Sequence, residues 1–130
     1  MRRSSLALLA FLAGVVPASA TENILCIADD SVSIMFLVGT TPGLHPLSLA
    51  MEAGGKKWST TGADGATPVL ISQSFDTGAM MMLDVTDDNA ERVIAELRVT
   101  RAHEEGHDPV AAGTLRIAGV GAWTVVCDGE

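Results

Sequence analysis

Tyrosine is absent from the 130 residues, and three Phe and two Trp make up the whole aromatic supply. That removes tyrosine from the list of catalytic groups. Basic residues are also scarce, eight Lys and Arg against sixteen Asp and Glu. A chain so poor in positive charge is excluded as a nucleic-acid or anionic-lipid binder, because both need a basic surface. There are only two cysteines, Cys26 and Cys127, and no CxxC. Two cysteines this far apart are poor zinc-site material, and the missing CxxC excludes a dithiol redox motif. No G-x-S-x-G elbow and no H-E-x-x-H is present, and Gly39-Thr-Thr-Pro-Gly43 lacks the lysine and spacing of a P-loop. The three histidines, His45, His103 and His107, all fall in predicted loops, and no spacing suggests a catalytic triad. No enzyme motif emerges, and the reading is non-enzymatic.

The first twenty residues read as an address. Arg2 and Arg3 form a positive start, Leu6 to Val16 an apolar run, and Ala18-Ser19-Ala20 a small-residue cleavage site. The run is shorter than the roughly 20 apolar residues that span a bilayer. The expectation is a cleaved secretory signal over 1–20 and a single β domain over 21–130, periplasmic or secreted, with no membrane span in the mature chain. Cleavage removes two of the eight basic residues and leaves six against sixteen acidic ones, a balance of −10. Such a charge suits a basic protein partner or a cation.

Export gives the two cysteines meaning. In an oxidising compartment a lone pair separated by a whole domain most simply forms one disulfide. Closing a loop of about 100 residues contributes roughly 4–5 kcal/mol in the chain-entropy model.

Between the cysteines the chain alternates. Asn23–Ala28, Ser31–Val38, Pro46–Ala53, Lys56–Thr60, Thr67–Phe75, Ala79–Val85, Val110–Ile117 and Gly121–Cys127 carry a period-two pattern, broken by Gly, Pro, Asp and Asn turns. Gly54-Gly55 is a two-residue hairpin signal. In Pro46–Ala53 the pattern points Leu47, Leu49 and Met51 one way. The stretch 91–102 is ambiguous: an acidic start followed by Val93, Ile94 and Leu97 permits a short helix. As a strand it would turn Val93, Ala95, Leu97 and Val99 inward, and Val99-Thr100-Arg101 favours that. The expected fold is all-β: a small antiparallel barrel or sandwich of eight or nine strands, mostly a meander, with the disulfide tying the first strand to the last.

Two stretches carry candidate chemistry. At the tip Arg101–Pro109, His103 and His107 stand four apart beside Glu104, Glu105 and Asp108. Imidazole plus carboxylate suits zinc, copper or nickel, but this spacing converges on one ion only on a helix, which Gly106 and Pro109 oppose. In Met80-Met81-Met82, alternation sends Met80 and Met82 away from the apolar face of Met81, Leu83 and Val85. Their thioethers suit Cu(I), or they form an apolar patch for a partner. Trp123 shares a face with Val125 and Cys127, which predicts core packing against the disulfide. Trp58, after Lys56-Lys57, is expected to be half exposed and to touch a ligand.

The ground plan is similar to that of small periplasmic lysozyme inhibitors, compact β-barrels with cysteines near both ends. Their Ser-Gly-x-x-Tyr inhibitory loop has no counterpart in a chain without tyrosine. The similarity is therefore one of architecture, and no residue carries over.

These observations point to an exported binding module for a protein or envelope component, a monomer or small homo-oligomer with no cofactor. The alternative is a periplasmic copper or zinc binder using His103, His107, Glu104 and Asp108, with Met80 and Met82.

Overall fold

The structure is a computed structural model that describes residues 21–29, 31–39 and 44–129. The expected signal segment, 1–20, lies outside them. Nine strands follow in chain order: β1 (Glu22–Asp29), β2 (Val32–Val38), β3 (Pro46–Ala53), β4 (Lys56–Ser59), β5 (Thr67–Asp76), β6 (Met80–Asp87), β7 (Val93–Ala102), β8 (Val110–Ile117) and β9 (Gly121–Gly129). Each pairs with its neighbours in sequence, and β9 returns to β1 to close a barrel. The sandwich alternative falls because this last pairing leaves one continuous sheet. Residues 93–102 are strand, which settles the ambiguous stretch, and no α-helix occurs among the described residues. None of their helices is long and apolar enough to cross a membrane.

Alternation fills the interior. Ile34 and Phe36 of β2, Met51 of β3, Met81 and Leu83 of β6, Leu97 of β7, and Leu115 and Ile117 of β8 are fully buried side chains. They occupy the barrel as a packed core. The opposite parity faces out and carries charge: Arg98 lies 2.8 Å from Asp84 and 3.7 Å from Glu96, which Arg116 contacts at 3.0 Å. Surface pairs of this kind add little stability but keep the wall wet.

The wall departs from simple alternation at register shifts. One lies between Leu37 and Val38 opposite β3, and it turns Leu47 out to 60% exposure, against the expectation that it shares a face with Leu49 and Met51, which are buried. Another, between Val85 and Thr86 opposite β7, leaves Val93 45% exposed, so Val93 does not face inward with Ala95, Leu97 and Val99. A bulge adds one residue to one strand and so exchanges the faces beyond it.

The sheet is also mixed, not wholly antiparallel: β4 and β5 run parallel through Trp58 opposite Thr67 and Ser59 opposite Pro68. The connection between them folds back on itself. Ser59 Oγ accepts from the Gly62 amide at 2.9 Å, and a 3₁₀ turn spans Ala63–Gly65. This return lets the chain re-enter the wall in the same direction, as a tight hairpin cannot.

Gly113 lets the wall curve. A Cβ there would collide with the Arg98 carbonyl and come within 2.8 Å of Val99 Cα, so β8 approaches β7 more closely than any side chain allows.

Candidate functional site

The antiparallel order brings Gly39, Leu44 and His45, and the 77–79 and 103–109 connections, to one end of the barrel, together with the start of β1 and the end of β9. All three histidines therefore share that end. So does a concavity of about 360 Å³, here termed the mouth. Its floor is apolar: Ile24, Met81, Ala111 and Cys127. Its rim carries the exposed carboxylates of Glu22, Asp108 and Asp128, none of which makes an ion pair among the described residues.

One cation lines the mouth, and it is already engaged. Arg101 Nη1 donates to Asp76 Oδ1 at 2.7 Å, and Nη2 lies 3.4 Å from Met81 Sδ. Burial pushes the Asp76 carboxyl up. The Arg101 hydrogen bond, the Gly78 amide donating to the same oxygen at 2.7 Å, and the Arg101 charge outweigh it and hold the group below the ordinary carboxylate range. With Arg101 neutralised, the unmatched charge at the mouth is negative.

Alternation carried a signal for this pair that went unread. Arg101 has the parity of Ala95, Leu97 and Val99, the inward face of β7, and Asp76 lies directly opposite Met81 on the inward side of β6. A charged residue on an inward face demands a partner. Twenty-five residues separate these two, so only the pairing of β5, β6 and β7 reveals which one.

The disulfide forms as expected. Cys26 and Cys127 occupy opposed positions in the β1–β9 ladder, with an S–S bond of 2.06 Å and Cα atoms 4.0 Å apart. Trp123 packs against the core as expected, half-buried, but towards the end of β9 away from the disulfide. The indole lies over Gly121 at the opposite end of β9 from the disulfide, where a Cβ on Gly121 would meet the ring at 2.8 Å. Met81, Leu83 and Val85 do form the inward face of β6. Met80 is 47% exposed and Met82 half-buried, both on the outer wall, where Met82 is paired with Phe75. Trp58 is not half exposed: it is 8% exposed and packs inside opposite Met51. In the short β4, Trp58 and Ser59 are buried while Lys56 and Lys57, nearer the Gly54-Gly55 turn, are exposed.

The β7–β8 tip is a turn closed by the His107 amide donating to the Glu104 carbonyl at 3.1 Å, with Gly106 at φ +80°. His103, Glu104, His107 and Asp108 are all exposed. Among the described residues no three or more His, Cys, Asp or Glu side chains converge as a metal-ligand group. A turn splays these side chains, whereas a helix would stack residues four apart on one face. Met80 and Met82 lie on the outer wall, Met80 opposite Thr100 at the end of β6 nearer the tip.

No family model, no curated protein and no solved structure matches this chain.

Proposed function

We propose that the protein is an exported, non-enzymatic binding module that recognises a basic protein partner at the mouth of its barrel. The observation that carries this reading is the contrast between a filled interior and an acidic, apolar-floored concavity at one end. Barrels that hold a ligand inside leave room for it; here Phe36, Met51, Leu83, Leu97 and Leu115 take that space. Recognition is then left to the outside. At the mouth the apolar floor of Ile24, Met81 and Ala111 suits the methylene stem of a lysine or arginine, and Glu22, Asp108 and Asp128 suit its charged head. Export through residues 1–20 belongs to the same proposal and would account for a lone disulfide.

The test is capture from an envelope fraction on immobilised mature protein, beside a Glu22→Gln/Asp108→Asn/Asp128→Asn variant. The expected result is one basic protein recovered in independent preparations, lost with the variant and weakened by salt. Equal recovery on both forms would move the binding surface away from the mouth.

A further inference from the structure

Beyond partner binding, the mouth reaches one of the two half-cystines. Cys26 has no exposed surface, and the core encloses it. Cys127 is 7% exposed and lines the mouth concavity. A thiolate attacks a disulfide along the S–S axis, so it must reach one sulfur with the other behind it. Of the two, only Cys127 has surface open to the mouth.

We propose that Cys127 is a site of thiol–disulfide exchange, reached through the mouth by a small thiolate, with Cys26 as the leaving group. The incoming sulfur bonds to Cys127 Sγ, the Cys26–Cys127 bond breaks, and its electron pair departs on Cys26 Sγ as a thiolate, protonated by water that enters from the mouth once the bond has opened. The product is a mixed disulfide on Cys127 and a free Cys26 thiol. A second thiolate can then attack the outer sulfur of the mixed disulfide. It releases Cys127 as thiolate and a small disulfide, so two thiols are oxidised while both cysteines are reduced. The backbone ladder from Ile24 to Ile27 holds β1 to β9 throughout.

The rim sets selectivity. Glu22, Asp108 and Asp128 border the approach, and Asp76 neutralises the one cation lining it, Arg101. A thiol carrying a positive group is drawn in, and one carrying a negative group is repelled, over a range that salt shortens.

The experiment treats the folded mature protein with cysteamine or with 2-mercaptoethanesulfonate at equal thiolate concentration. Samples are quenched in acid, alkylated with N-ethylmaleimide and mapped by peptide mass. The expected early product carries the added thiol on Cys127 and the maleimide on Cys26. Cysteamine should react about fivefold faster at low salt, and the ratio should fall toward one at high salt or in the Asp108→Asn/Asp128→Asn variant. The early rate should not change in urea below the unfolding transition. An adduct on Cys26, adducts shared equally between the cysteines, equal rates for the two thiols, or a rate that tracks global unfolding would each overturn the proposal.

Discussion

Cys26 and Cys127 stand directly opposite one another in the ladder that closes the barrel, although 101 residues separate them along the chain. Their bond and the backbone pairing of β1 with β9 hold the same seam. Removing the bond in Cys26→Ala/Cys127→Ala should leave the strands paired while costing about 4–5 kcal/mol, the chain-entropy value for so long a loop. Urea titration of both forms measures the difference. A loss below about 1 kcal/mol would mean that residual structure already holds the ends of the unfolded chain near one another.

The Asp76–Arg101 pair gives stability a pH dependence with a definite sign. The folded-state pKa of Asp76 is depressed, so its contribution is present above its ordinary value of 3.8 and is lost as pH falls through the lower folded value. In Asp76→Asn the Gly78 amide keeps an acceptor but the charge is gone. The variant should be about 1 kcal/mol less stable at pH 7, within the range for partly exposed charged pairs. The gap should narrow as pH falls below 3.8 and close once Asp76 is protonated in the folded state. A gap that does not change with pH would assign the loss to packing instead.

Gly113 is the position where one methyl group should matter most. Its Cβ would meet the β7 backbone, which cannot rotate aside as a side chain can. Gly113→Ala should cost about 3 kcal/mol, at the upper end of overpacking losses, and thermal unfolding reads it directly. A change within about 0.5 kcal/mol, the usual surface value, would show that the two strands separate readily.

Much of this fold was legible in the alternation. Pro46–Ala53 and Val110–Ile117 have the boundaries their patterns imply, and the wide spacing of Cys26 and Cys127 implied that first and last strands meet. Leu47 and Val93 were misplaced because a bulge is a property of two paired strands and leaves no mark in either sequence alone. The parallel β4–β5 pair was hidden for a related reason: Thr61–Ala66 has a turn composition, and composition does not state the direction in which a chain resumes. At the site, the exposed tip could be read, but the mouth could not, because Glu22, Arg101, Asp108 and Asp128 meet only once the barrel has closed.

The tip histidines should be thermodynamically silent. His103 and His107 are exposed on a turn, and among the described residues no ligand group surrounds them. His103→Ala/His107→Ala should therefore leave stability within about 0.5 kcal/mol of the parent. Calorimetric titration with Zn²⁺ or Cu²⁺ should find no stoichiometric site that the double variant loses. A one-to-one site abolished by those two changes would restore the metal-binding alternative.

The most direct test of the mouth as the working surface is an amide NMR titration of the ¹⁵N-labelled mature protein with the captured partner. Perturbed amides are expected to cluster at residues 22–24, 76–81, 101–111 and 127–129, and to shrink as salt is raised. Perturbations confined to the opposite end, at Gly54-Gly55, residues 88–92 and 118–121, would contradict the mouth as the site of recognition.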